Sequence, residues 1–108
     1  MVSFSVVIPT RNRTAFLRQA IASVLAQTHG AMEIIVVDDG DGAAQALKDT
    51  SPLIRVLDNR ERGPVPARNL GVAQAQGDVV AFLDDDDWWT DRDYLSLASQ
   101  AFENGVTL

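Results

Sequence analysis

Four consecutive aspartates at residues 84–87 directly follow an apolar segment and are the most chemically suggestive residues of the sequence. Alternate residues of an extended chain point to the same side, so Asp84 and Asp86 can share one ligand while Asp85 points elsewhere. Carboxylate oxygens with no His or Cys nearby suit Mg²⁺ or Mn²⁺, which commonly keep one or two protein carboxylates beside waters and phosphates. Because four adjacent carboxylates repel one another, a bound divalent cation explains them better than a solvated acidic loop does.

Two other polar clusters follow apolar segments, at residues 9–13 (PTRNR) and residues 38–42 (DDGDG). Asp39 also fits simple turn chemistry, because Asp-Gly is a common turn and an aspartate can cap the next helix. A receiver-type phosphoacceptor pocket is disfavoured, since it needs a lysine at a later strand end and the only lysine, Lys48, falls in a predicted helix. Arg68 lies near a predicted helix N-terminus, where the helix dipole disfavours a cation. An anionic ligand there would offset that cost.

The elements that must position these residues follow from hydrophobic patterning. Strands are predicted at residues 4–8, 33–37, 53–57 and 78–83, where short apolar runs rich in β-branched residues end at polar ones. Helices are predicted from Thr14, as N-cap, to His29-Gly30, at residues 43–48, from Gly63-Pro64 to about residue 76, and at the C-terminus. The last helix has a predicted apolar face made of Tyr94, Leu97, Ala98, Ala101 and Phe102.

This alternation predicts an α/β fold with a Rossmann-like parallel sheet of four strands, in the order 3-2-1-4, and helices on both faces. Ligands of such sheets bind beyond the carboxyl ends of the strands. The polar clusters fall at three of those ends, with Arg68 in the helix that leads into strand 4. Strand 4 lies at an edge and carries no charge or proline that would prevent pairing, so we expect the isolated chain to form homo-oligomers. Strand 3 is flanked by Asp58, Arg60 and Glu61 and tolerates its edge position.

Composition excludes several classes of protein. The chain has 108 residues, which is one domain, with nine Lys and Arg against fifteen Asp and Glu for a net charge of −6. This acidity disfavours a nucleic-acid-binding role, and the absence of cysteine excludes disulfides and thiolate chemistry. We see neither a transmembrane segment nor a signal peptide and expect a cytoplasmic protein. Peripheral contact with the inner face of the membrane is an alternative for a full-length form.

Four motifs in this order and spacing resemble family 2 glycosyltransferases of the GT-A fold. They are VVIPTRNR at residues 6–13, EIIVVDDG at residues 33–40, PARNLGVAQAQGD at residues 66–78 and FLDDDDWW at residues 82–89. Together they span nearly the whole chain. The resemblance covers only the N-terminal half of that domain, which binds the nucleotide sugar, so residues 1–108 are expected to form a single donor-binding subdomain, truncated relative to a full catalytic domain.

The resemblance implies a role for each matching residue. Pro9, Thr10 and Arg11 would line the nucleoside pocket, Asp39 would hydrogen-bond the base, Arg68 would lie beside the base or diphosphate, and Asp85 would lie close to the ribose. Asp84 and Asp86 would form a DxD pair that binds Mn²⁺ or Mg²⁺, with Asp86 as the main ligand. The implied ligand is a nucleoside-diphosphate sugar, with a UDP-sugar as first candidate and GDP or dTDP as alternatives. The implied reaction is inverting transfer of the sugar to an acceptor that the sequence does not identify.

The sequence departs from the family pattern at three points. Asp41 replaces the usual Ser or Thr but can still cap a helix, and Pro66 replaces a small residue within a first helical turn, where proline is tolerated. The segment that would supply the acceptor site and the catalytic base is absent, so the catalytic residue is not assigned and the chain alone is expected to be inactive.

Two other functions remain open at this point. A sugar-phosphate nucleotidyltransferase-like domain shares the sheet and the metal chemistry, but PTRNR lacks the glycines of its phosphate loop. A noncatalytic module for nucleotide binding or protein interaction could keep the same fold, because the motifs indicate ligand binding rather than turnover.

Overall fold

The computed structural model describes residues 2–40, 42–59 and 62–104. The elements in chain order are β1 (Phe4–Thr10), α1 (Thr14–Leu25), β2 (Glu33–Asp38), a 3-10 helix (Ala43–Thr50), β3 (Ile54–Asp58), α2 (Pro64–Gln74), β4 (Val79–Phe82) and α3 (Tyr94–Glu103). The four strands form one sheet in the order β3-β2-β1-β4, and every neighbouring pair is parallel. The predicted fold class and strand order are therefore confirmed.

The central strands are buried on both faces, which is why their sequences are almost continuously apolar. Val6 and Ile8 of β1 belong to a core cluster on one face together with apolar residues of α1, the 3-10 helix and α3, whereas Val7 of β1 belongs to a cluster on the other face with Ala67 of α2. Helices thus cover both faces, as predicted. Gly71 of α2 lies directly against Val7, and a Cβ at this position would clash with the valine side chain. This close approach brings the N-terminal turn of α2 near the carboxyl ends of the strands.

Helix α1 ends earlier than the apolar pattern predicts. It starts at Thr14, with Arg13 rather than Thr14 as the N-cap, and stops at Leu25 instead of continuing to residue 29. Gln27 is buried, and its amide group bonds to the Asp91 carbonyl oxygen at 2.7 Å and to the Leu95 backbone N–H at 3.0 Å. The backbone leaves the helix here, because the Gln27 N–H bonds three residues back to the Val24 carbonyl oxygen at 3.1 Å and the Thr28 N–H bonds instead to the Arg92 carbonyl oxygen at 2.8 Å.

Helix α3 buries only part of its predicted apolar face. Leu95 and Ala98 are buried against the sheet, whereas Tyr94 and Leu97, which we expected to face the core, are exposed. The prediction of this face was correct for Ala98, which is buried, and for Phe102, which packs against the core, but it was wrong for Tyr94 and Leu97. Gln27 anchors the first turn of α3 through the Leu95 N–H. An apolar spacing in the sequence could not reveal that anchor.

Residues 43–50 form a 3-10 helix rather than the short α-helix expected at residues 43–48. Gly42 precedes it in the left-handed region at φ 89°, and the Gln45 N–H bonds to the Gly42 carbonyl oxygen at 3.1 Å, three residues back. The expected capping residue Asp41 and the charged residues Arg60 and Glu61 beside β3 lie outside the described residues. Pro66 lies in the first turn of α2, where its missing N–H has no helical partner to lose.

Candidate functional site

A cleft of about 490 Å³ lies beyond the carboxyl ends of β1, β2 and β4. It is lined by Pro9, Thr10, Arg11, Arg13, Asp39, Gly63, Pro64, Ala67, Asp84, Asp85 and Asp86. All of the site residues proposed from the sequence therefore lie on this one cleft, except Arg68. The guanidinium of Arg68 lies at its edge, 4.0 Å from the Asp84 carboxylate.

Thr10, the last residue of β1, ties the loops around the cleft together. Its carbonyl oxygen accepts a hydrogen bond from the Asp39 N–H at 2.8 Å, and its hydroxyl donates one to Asp85 at 2.9 Å. Thr10 and Asp85 are both buried. The loop after β2 and the loop after β4 are thus held in place by a single residue between them.

Asp39 is fixed by the loop that enters α2. One carboxylate oxygen accepts the Gly63 N–H at 2.9 Å, and the other accepts the side-chain amide of Asn59 at 3.2 Å. The Arg62 guanidinium lies 4.0 Å from that second oxygen. Gly63 has a φ of 98°, which favours glycine. Since each carboxylate oxygen has two lone pairs, Asp39 keeps acceptor capacity toward the cleft.

The acidic turn, residues 84–87, exposes the side chains of Asp84 and Asp86 and buries that of Asp85 between them. The Asp87 N–H bonds to the Asp84 carbonyl oxygen at 3.1 Å, which closes a β-turn. The side chains of Asp84 and Asp86 are 67% and 54% exposed, whereas that of Asp85 is 11% exposed. Asp84 and Asp86 are thus both exposed on the cleft while Asp85 is turned inward to Thr10, and they lie in a turn rather than in an extended strand. That the two share one ligand stays a prediction.

The donors at this turn fit a hard divalent cation. The described residues hold no group of three or more His, Cys, Asp or Glu side chains arranged around a metal position. Mg²⁺ and Mn²⁺ bound with a phosphate ligand need only one or two carboxylates, because phosphate and water oxygens complete the coordination shell. Asp84 and Asp86, exposed on the same cleft, supply such a donor set.

Two arginines face these carboxylates, and the sequence reasoning assigned only one of them. Arg13 donates a hydrogen bond to Asp86 at 3.2 Å and lies 3.6 Å from Asp85. The sequence predicts no role for Arg13, although this residue lies in the PTRNR cluster after strand 1. The argument used for Arg68, a cation at a helix N-terminus, applies equally to Arg13 and could have found it.

Asn59 is the second residue that sequence reasoning missed. It is buried at the end of β3, and its amide joins Asp39 to the Gly63 carbonyl oxygen, which accepts at 3.0 Å. A polar residue directly after an apolar strand was the available signal, but nothing in the sequence shows that its side chain turns toward β2.

The sequence matches the family model described as glycosyl transferase family 2 over residues 5–108. The chain belongs to this family. It is 42% identical over 94 residues to an uncharacterised glycosyltransferase of Nostoc sp. and 35% identical over 107 residues to the uncharacterised glycosyltransferase YibD of Escherichia coli. These matches cover 82% and 94% of this glycosyltransferase-family chain but 29% and 31% of the two relatives. The chain thus spans about a third of the length of these relatives.

Solved structures show the same architecture. S. aureus TarS 1–349 in complex with UDP-GlcNAc superposes with a TM-score of 0.83 at 28% identity, over 94% of this chain and 31% of that one. The mannosyltransferase PcManGT of Pyrobaculum calidifontis, in complex with GDP-Man and Mn²⁺, gives 0.81 at 27% identity, over 92% and 32%. The fold is therefore that of GT-A glycosyltransferases. Among the described residues no helix combines the length and the apolarity needed to cross a membrane.

Proposed function

We propose that this chain is the donor-binding subdomain of a longer inverting glycosyltransferase and that it binds a nucleoside-diphosphate sugar together with Mn²⁺ or Mg²⁺. The observation that carries the proposal is the convergence of Asp39, Asp84 and Asp86 on one cleft at the carboxyl edge of the sheet. The complexes of TarS with UDP-GlcNAc and of PcManGT with GDP-Man and Mn²⁺ support this ligand class. A UDP-sugar is the first candidate and a GDP-sugar the second.

Each cleft residue then has a role that its environment permits. Pro9, Thr10 and Arg11 line the nucleoside end, and Asp39 accepts a hydrogen bond from the imide N–H of the base. Asp85, held by Thr10, lies toward the ribose. Arg68 stays beside the diphosphate or base at the edge of the cleft.

Asp84 and Asp86 would hold the metal at the other end of the cleft. A bound divalent cation neutralises the charge that develops on the departing nucleoside diphosphate. In the reaction, the bond between the sugar C1 and the phosphate oxygen breaks, and its electron pair stays on that oxygen. The acceptor oxygen forms the new bond to C1 from the opposite side, and its proton passes to a carboxylate base. We place that base outside this chain, so the isolated chain should support no sustained, acceptor-dependent transfer.

Calorimetric titration of the chain with UDP and GDP, with and without Mn²⁺, tests the donor site. We expect Asp86→Ala to abolish the dependence of binding on metal, and Asp39→Ala to weaken binding about tenfold or more even without metal, because a charged hydrogen bond to the base is lost. Asp87→Ala is the matched control, since Asp87 belongs to the acidic turn but does not line the cleft. Parent-like binding by both site variants would show that the site is misassigned.

Two alternatives make different predictions in the same titration. A noncatalytic interaction module would bind neither nucleotide under any condition. A nucleotidyltransferase-like domain would bind a nucleoside triphosphate in preference to the diphosphate, yet the loop after β1, residues 9–13, contains no glycine that could form the phosphate loop of such a domain.

We also propose that the isolated chain self-associates through β4. The N–H groups of Val79 and Leu83 bond to Ser3 and Val7 on the β1 side, so the backbone of Val80 and Phe82 points away from β1. Phe82 is 46% exposed. Light scattering at micromolar concentration should detect a dimer or larger species that Phe82→Lys reduces, because a lysine on an edge strand opposes pairing. A strictly monomeric parent chain would overturn this proposal.

A further inference from the structure

Arg13 has a fixed backbone position between the loop after β1 and the first turn of α1. Its carbonyl oxygen accepts the Leu17 N–H at 2.9 Å, which makes it the N-cap residue of the helix. Asn12 before it has a φ of 54°, and the close approach of Gly40 to Asn12 leaves no room for a Cβ at residue 40. The backbone of this loop is therefore set by β2 and α1, and the Arg13 side chain extends from it across the cleft.

The guanidinium of Arg13 occupies Asp86, one of the two carboxylates that the metal would need. It donates to Asp86 at 3.2 Å and lies 3.6 Å from Asp85, on the same cleft. A helix N-terminus disfavours a cation, so the charge of Arg13 is compensated by the acidic turn and not by its own helix. Arg68 differs, because its guanidinium lies 4.0 Å from Asp84, beyond hydrogen-bond distance.

We propose that Arg13 is a ligand-binding residue that competes with the divalent cation for Asp86 and contacts the diphosphate once its guanidinium is displaced from Asp86. This inference rests on the function proposed above. Two cations repel each other, so a metal that binds Asp86 at close range weakens the hydrogen bond from Arg13. The diphosphate provides a new partner for the released guanidinium, since arginine pairs strongly with phosphate oxygens. By linkage, the nucleotide then promotes metal binding, and the metal promotes nucleotide binding, by the same factor.

We expect the removal of the Arg13 charge to change the affinities for the metal and for the nucleotide in opposite directions. In Arg13→Gln, the affinity for Mn²⁺ alone should rise about threefold at low ionic strength. A change of this size corresponds to the interaction energy of a half-exposed ion pair. The affinity for UDP alone should fall about fivefold, because the diphosphate loses a charged partner. A residue that only supports the fold of the loop would weaken both affinities when replaced.

Free Mn²⁺ measured by electron paramagnetic resonance gives the metal affinity, and calorimetry with UDP gives the nucleotide affinity. Both use the whole chain and require no activity. Arg18→Gln is the matched control, because Arg18 is an exposed arginine on α1 that does not line this cleft. It should leave both affinities within about twofold of the parent. Arg13→Lys keeps the charge and should restore most of the parental affinity for each ligand.

Three outcomes would overturn the inference. If Arg13→Gln weakens both ligands, the residue is structural. If Arg13→Gln changes neither affinity, the contact between Arg13 and Asp86 has no effect on ligand binding in solution. The proposed function still stands in that case, as long as the parent binds UDP with Mn²⁺. If the parent binds neither ligand, the proposed function fails and this inference fails with it.

Discussion

The two ends of the sheet use charged residues in opposite ways. At the carboxyl end, Asp84 and Asp86 are largely exposed to the cleft and face arginines across it. At the amino end, the side chain of Glu33 is only 7% exposed and is surrounded by hydrogen-bond donors. Carboxylates that are satisfied within the chain stabilise the fold, whereas exposed ones that converge on a cleft are available to a ligand.

Glu33, the first residue of β2, joins β1, β3 and the loop that leads into β4. Its Oε2 accepts the Ser5 hydroxyl and the Gln76 N–H, each at 2.6 Å, and its Oε1 accepts the Arg55 guanidinium at 3.0 Å. The Ser5 hydroxyl in turn accepts the Gly77 N–H at 2.8 Å. A Cβ at Gly77 would lie 2.8 Å from the Ser5 backbone nitrogen, so the loop fits here only with glycine.

The largest effect on stability is expected from Glu33→Gln, which tests the amino end of the sheet. The substitution removes a buried charge that accepts from three donors, and we expect the free energy of unfolding to fall by about 2–3 kcal/mol. Urea denaturation measures the loss, and UDP affinity at a temperature where the variant is folded should stay within about twofold of the parent. Asp49→Asn, an exposed acid in the 3-10 helix, is the control. An unfolding midpoint no lower than that of the control would contradict the assignment of Glu33 to the fold.

An intermediate effect is expected from acid pH. Burial raises the pKa of Glu33, but the hydrogen bonds from Ser5, Gln76 and Arg55 outweigh it and hold the pKa below the ordinary value of 4.5. Hydrogen bonds from the Ser3 backbone and hydroxyl likewise lower the pKa of Asp78 below 3.8. A depressed folded-state pKa gives stability that is present above the unfolded-state value and is lost as the pH falls through the folded one.

The parent should therefore lose stability below pH 4.5 more steeply than Glu33→Gln, whose residue 33 does not titrate. Urea midpoints measured across this range for both chains check the expectation. If the urea midpoints of the two chains fall in parallel as the pH is lowered, other carboxylates dominate acid unfolding.

The smallest effect on stability is expected at the carboxyl end of the sheet, where the cleft lies. Asp84→Asn and Asp86→Asn should each change the free energy of unfolding by less than about 0.5 kcal/mol, because their ion pairs are solvent-exposed. The same variants should lose the dependence of nucleotide binding on metal. If either one destabilised the chain as much as Glu33→Gln does, the contrast between the two ends of the sheet would be wrong.

The sequence sufficed to predict the sheet, its strand order and the edge where the cleft forms. Apolar runs alternating with helical spacing determine which segments are strands, and the topology brings Thr10, Asp39 and Asp84 to one edge. The alternation within the acidic turn was also predictable, although its cause is the hydrogen bond between Thr10 and Asp85.

What the sequence could not reveal depends on side chains that reach across the fold. Arg13 and Asp86 are 73 residues apart, and Gln27 and Leu95 are 68 residues apart. The first contact places Arg13 over the acidic turn of the cleft, and the second fixes Gln27 against the start of α3. Neither follows from local spacing, because each needs the packed positions of two elements.

The position of β1 inside the sheet has a consequence for how the chain acquires its site during synthesis. β1 emerges first but needs β2 on one side and β4 on the other, and the hydrogen bond from Thr10 to Asp85 closes a span of 75 residues. Contacts of such long range carry a loop-closure cost that slows folding. Any nascent chain that ends before Asp86 lacks one wall of the cleft and leaves one edge of β1 unpaired. A nucleotide that needs both walls of the cleft therefore stabilises only a chain in which β4 has already joined β1, so binding acts after this pairing rather than on the nucleation of the sheet.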